Sequence, residues 1–203
     1  MDLKNGASDT FVAVAHVASE LFKAQSIAEE LSITSKNARA LAVRAGSTAA
    51  GFNEITRFIE GLSKLTIEAA NQVNLVAISQ TKYAADLYRA QIFKTRLDLV
   101  QYSPPHLSDN ELQPIYDRVN HNIQKFEQQI TLNLRDLAVQ LSEVKMELRA
   151  SQVVSVVSRV EASRAHEDFR ESLNAVADKV ASAGQRINDH LVNARKHLSY
   201  LHI

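Results

Sequence analysis

A chain of 203 residues with formal net charge zero is long enough to bury a sizeable core, and it offers no electrostatic pull on polyanions. The two halves are balanced as well, with 11 basic and 10 acidic residues up to position 103 and 12 and 13 beyond it, so nucleic-acid binding is not expected. The absence of Cys removes thiolate nucleophiles, disulfides, iron–sulfur clusters and zinc fingers. Five Gly and three Pro are too few for a β-sandwich or barrel, which needs turn residues at short intervals. Apolar runs such as 11–17 and 153–157 fall far short of a membrane span, so no direct membrane insertion is expected. The first residues lack the basic n-region of a signal peptide, and the expected location is cytoplasmic.

In chain order, the periodicity is helical throughout. Val14, Val17, Leu21, Ala24, Ala28, Leu31, Ser35, Ala38 and Ala42 recur at alternating spacings of three and four. Gly46 and Gly51 then interrupt the pattern, which resumes from Phe52 through Ile55, Ile59, Leu62 and onward to Leu87. Pro104 and Pro105 mark the next break. Ser108 and Glu111 have the spacing of a capping box, in which two side chains satisfy orphan amides at a helix start. Pro114 is tolerable in the early turns of that helix or marks a second start. Ile123, Phe126, Ile130, Leu134, Leu137, Leu141, Val144 and Leu148 carry the third run, and Phe169 to Leu201 the fourth. Sustained heptads of this kind predict coiled-coil packing.

The third and fourth runs are not separated by any breaker, and a reversal near 165 is inferred from length. With turns near 46, 105 and 165 the helices run roughly over 8–45, 52–103, 109–163 and 167–201, the long ones reaching about 75–80 Å. Lengths in the order short, long, long, short predict an all-α, elongated antiparallel four-helix coiled-coil bundle. It would comprise two tandem hairpins: 1–103 with a tip near 46–51, a proline turn at 104–108, and 109–203 with a tip near 161–168. The alternative is one third helix of some 85 residues lying along a partner chain.

No catalytic constellation emerges. There is no Glu-x-x-His for a di-iron site, no phosphate-binding glycine loop and no nucleophile elbow. His16 with Glu20, and His190 with His197, are spaced to share helix faces, but each pair falls short of a metal site and reads as solvent-facing polarity. His166 lacks the small and basic neighbours that a phosphotransfer histidine needs. The expectation is a protein without enzymatic activity and without a cofactor.

Residues 27–73 carry a more specific pattern: Ile27-Ala28, Asn37-Ala38, Arg44-Ala45-Gly46 and Gly51-Phe52, followed by Leu62, Thr66, Ala69-Ala70 and Val73. In this order and spacing the segment resembles the kinase-control tip of bacterial chemoreceptors, the signalling domain of methyl-accepting chemotaxis proteins. The resemblance implies an antiparallel hairpin whose tip binds a CheA-type histidine kinase and a CheW-type adaptor. It implies glycines that shape the turn, and Asn37, Arg44, Gly46, Gly51 and Phe52 at the partner-binding tip, with Phe52 re-entering the core as the first seam residue of the return helix. Leu41 and Phe58, where the chain departs from the family, are either core or an altered contact surface in the same expected contact set. Leu41, Ser47 and Ala49-Ala50 depart from the family's acidic and arginine positions, and Phe58-Ile59-Glu60 from its Glu-Val-Arg. Those losses bear against ordinary kinase activation. Residues 160–165 resemble the same tip in degenerate form, adding Glu161 and Arg164 to the expected contact set. Two such hairpins make either a monomer imitating a receptor dimer or one half of a homodimer. The competing reading is a structural or small-molecule-binding helical bundle, with Tyr83, Tyr88, Tyr102 and Tyr116 lining a pocket near the proline end.

Overall fold

The computed structural model describes residues 3–49, 51–101 and 109–200. Helix α1 spans Leu3–Ala45, a short 3-10 turn Gly46–Ala49, α2 Gly51–Gln101, α3 Asp109–Arg164 and α4 Glu167–Ser199. Pro104, Pro105, Ser108 and Leu201 lie outside the described residues. Pro114 falls in the second turn of α3, and the helix continues through it.

The helices pack in a ring, α1 on α2 and α4, and α3 on α2 and α4. Their partners run in opposite directions. Across α2 and α3, the Gln80 side chain donates to the Ile130 carbonyl at 3.0 Å, and further along Tyr116 Oη donates to Asp98 at 2.9 Å. Across α1 and α4, His190 meets Glu20 and His197 stacks on His16. The expected all-α antiparallel four-helix bundle is therefore the observed one.

The core is the heptad seam read from the sequence. Val14, Leu21, Leu31, Phe52, Ile59, Leu137, Leu141, Leu173, Ile187 and Leu191 are fully enclosed. Toward the turns, α1 contributes Ala24, Ala28, Ala38 and Ala42, and these small residues let their neighbours approach closely. Ser35 enters the same seam and meets its hydrogen-bonding need by donating to the Thr56 carbonyl at 2.7 Å, which bonds α1 directly to α2.

Helix lengths decide the outline. α4 has 33 residues and α3 has 56, about 50 and 84 Å at the helical rise. Leu198 and Ser199 of α4 border the same groove as Leu134 of α3. Past that level α2 and α3 continue as an antiparallel pair with Leu87, Leu97, Leu112 and Val119 buried in it.

The turn between α3 and α4 occupies only Ala165 and His166. No glycine or proline makes it. Ala165 N–H donates back to the Ala162 carbonyl at 3.2 Å, and His166, at φ −57° and ψ 149°, is extended enough to redirect the chain. The Phe169 and Arg170 amides then donate to the His166 carbonyl, which starts α4. A reversal this short leaves no signature in composition.

Candidate functional site

Both tight reversals lie at one end of the bundle, and every residue expected at the tip is among those described. Gly46 follows α1 directly and has φ +66°, the left-handed region that other residues enter only with strain. Gly51 is the first residue of α2. The Glu161 carboxylate of α3 lies against it, so close that a Cβ at position 51 would collide with the carboxyl group. Glu161 also accepts a hydrogen bond from Arg164 at 2.9 Å. A negative group at a helix start complements the partial positive charge of the free amides there. The two tips, Gly46–Gly51 and Glu161–Arg164, are thus joined into one surface.

The other expected residues divide by burial. Asn37 and Arg44 are exposed, and Leu41 between them is half-buried against the core. Their spacings of four and three place all three on one side of α1. Phe58 is likewise half-buried against the core. Phe52 is 0% exposed. It anchors the start of α2 in the core, as its place at the head of the second heptad run predicts, and only its inclusion in the contact set is corrected: no partner can reach it while the bundle stands. Glu161 is committed to Gly51 and Arg164, whereas Arg44 projects from the last turn of α1 as a cation at a helix C-terminus.

Two apolar features of this end were not expected as surface from the sequence, where 153–157 counts only as a run too short to span a membrane. Val43 is exposed next to Arg44, and Val153, Val156, Val157 and Val160 are exposed on α3 as it approaches the tip. Their signal was available, since they fall between the core positions of their helices.

At the other end, the four residues read as solvent-facing polarity are brought together between α1 and α4. The rings of His16 and His197 stack with centroids 4.6 Å apart. His190 Nδ1 meets Glu20 Oε2 at 2.8 Å, with side-chain exposures of 24% and 13%. Lys23 and Asn193 also reach the Glu20 carboxylate. Burial pushes the Glu20 pKa up, but the hydrogen bonds from Lys23, His190 and Asn193 outweigh it and hold it at about 2. His16 is exposed, as expected, whereas Glu20, His190 and His197 are half-buried, and for these three the expectation of solvated side chains is corrected: they form a polar clasp across a helix pair. No group of three or more His, Asp or Glu among the described residues is arranged to hold a metal ion.

The tyrosines of the pocket reading are dispersed. Tyr116 donates to Asp98, Tyr83 lies tilted against Phe126 with centroids 6.4 Å apart, and Tyr88 is exposed. Tyr102 lies outside the described residues.

Comparisons with protein-family models, with curated proteins and with solved structures give no significant match. No helix among the described residues is long and apolar enough to cross a membrane.

Proposed function

We propose that the chain is a non-enzymatic docking module whose closed end binds a chemotaxis histidine kinase of the CheA type and a coupling adaptor of the CheW type. The observation that carries this reading is the joined tip. Both reversals sit at one end, Glu161 ties them together through Gly51, and Asn37 and Arg44 stand exposed beside the turn with Leu41 behind them. The residue pattern over 27–73 suggests the partner class, and the exposed Asn37 and Arg44 beside the joined turns support a surface on which to present it. Such a surface binds through a few anchors. Arg44 offers a charge-assisted fork to a carboxylate, and the apolar rim at Val43 offers area beside it.

The test is binding of the purified chain to the kinase and adaptor, with Asn37→Ala/Arg44→Gln alongside. Both side chains are exposed, so the variant keeps its helicity. The expected result is saturable binding that the double substitution weakens at least ~10-fold, the scale of losing an interface anchor. Equal binding by both proteins, or none by either at about 100 μM, removes the docking reading.

A further inference from the structure

Helix α3 carries a second apolar stripe on the side away from the core. Its inward residues include Leu134, Leu137, Leu141, Val144 and Leu148. Leu132, Val139, Met146, Val153 and Val160 recur at every seventh position, each two residues before a core position, and 3.6 residues per turn put them diametrically outward. All five are exposed, from 47% at Val160 to 69% at Met146. The outermost line of a bundle helix is ordinarily its most polar. Here five consecutive heptads are apolar on that line, over about 42 Å of helix. A strict seven-residue repeat is the spacing of a helix–helix seam.

The edges of the stripe say what covers it. Arg135 and Arg149, three residues beyond stripe positions, are exposed along one flank, and Asp136 and Glu143, four residues beyond, along the other. A two-fold axis parallel to α3 would lay stripe on stripe and bring the arginine flank of each copy beside the acidic flank of the other. A two-fold axis perpendicular to α3 would set each flank against its own kind. In the parallel sense Arg135 of each copy stands level with Asp136 of the other, while Arg164, also four residues beyond a stripe position, is paired with Glu161 of its own helix; the flank charges therefore favour the parallel sense.

We propose that the outer face of α3 is a self-association surface on which a second copy of this chain packs in parallel and in register. Met146 meets Met146 at its centre, and both tips point the same way. A strip one helix wide lies at the small end of specific interfaces, so association is reversible and concentration-dependent. The inference stands on α3 alone and does not depend on the docking reading.

The lack of Cys makes the test direct. Sedimentation over roughly 5–200 μM should show the average mass rising from 22.5 kDa toward twice that, and Met146→Lys should shift the association at least ~10-fold with unchanged helicity. Val139→Cys and Val153→Cys, each alone, should form disulfide-linked dimers faster than Val43→Cys on the exposed face of α1. Mixed together, they should give 139–139 and 153–153 links in preference to 139–153. A chain that stays monomeric throughout, a Val43→Cys control that links as fast, or a predominance of 139–153 links would each overturn the proposal.

Discussion

Glu161 of α3 rests its carboxylate on Gly51, the first residue of α2, and so closes the two hairpins of the bundle on one another. The contact is possible because position 51 has no Cβ. It also sets two effects of an alanine there in opposition. Alanine in a helix is worth up to about 1 kcal/mol over glycine. Displacing a carboxylate from a helix N-terminus costs about 0.3–1 kcal/mol. In the native chain the two nearly cancel, and Gly51→Ala should change stability by less than about 0.5 kcal/mol. In a Glu161→Ala background only the helix gain remains, and the same substitution should stabilise by about 0.5–1 kcal/mol. Urea unfolding of the four proteins checks this. Equal effects in the two backgrounds would show that Glu161 and Gly51 are uncoupled.

Gly46 is the opposite case. Nothing lies within 4 Å of where its Cβ would sit, so space is not the constraint. The constraint is φ +66°. Gly46→Ala should cost about 1 kcal/mol through backbone strain alone, and Gly46→Asn less, because asparagine tolerates the left-handed region better. Thermal unfolding should rank them Gly, Asn, Ala. A ranking with Ala above Asn would mean that the turn re-forms with a different backbone.

Most of the fold was legible because burial in a coiled-coil bundle is periodic. Positions such as Leu21, Ile59, Leu141 and Ile187 follow from spacing alone, and all are enclosed. The reversal at Ala165–His166 was placed by arithmetic on helix lengths and by the degenerate tip pattern over 160–165 rather than by a breaker, since a two-residue turn made by backbone hydrogen bonds needs no special residue. At the turn, the spacing located the reversal at Gly46–Gly51 and put Phe52 in the seam, but it did not separate buried from projecting members of the expected contact set. Phe52 and Arg44 belong to the same sequence pattern, yet one is sealed in the core and the other projects into solvent. Periodicity gives the face of a residue, whereas the approach of Glu161 to Gly51 is a contact between positions 110 apart. The clasp of His16, Glu20, His190 and His197 was hidden for the same reason, because each pair is ordinary on its own helix.

That clasp should make stability depend on acid. The Glu20 pKa is lowered from 4.5 to about 2 by the hydrogen bonds of Lys23, His190 and Asn193, which outweigh the burial that raises it. A carboxylate with a depressed folded pKa contributes stability that is fully present above its unfolded value and lost as pH falls through the folded one. The contribution should therefore disappear between about pH 4.5 and pH 2. Water reaches the edge of the helix pair, so it is about 1–2 kcal/mol rather than the full equivalent of the shift. Glu20→Gln should unfold with a shallower dependence on pH in that window and converge with the native chain near pH 2. Parallel curves for the two proteins from pH 5 to pH 2 would assign the acid sensitivity to other carboxylates.

Gln80 poses a different balance, because it is 2% exposed in the seam where the four-helix section gives way to the α2–α3 pair. Its Nε2 donates to the Ile130 carbonyl, while its Oε1 has no partner. The Ile130 carbonyl lies within α3 and is also the acceptor of a helical bond, so removing Gln80 leaves it satisfied. Burying an unpaired amide oxygen costs about 1–3 kcal/mol, and the hydrogen bond it accompanies returns about 1 kcal/mol. Gln80→Leu, of similar length, should therefore stabilise the chain by about 1 kcal/mol, read as a higher urea midpoint at unchanged slope. The polar pair also fixes which residue of α2 stands opposite which residue of α3, as single polar residues do in other coiled-coil seams. The stabilised variant should consequently be less particular about register, with faster amide exchange along 80–100 despite its higher midpoint. A lower midpoint would mean that Oε1 is satisfied in solution, and that Gln80 contributes stability as well as register.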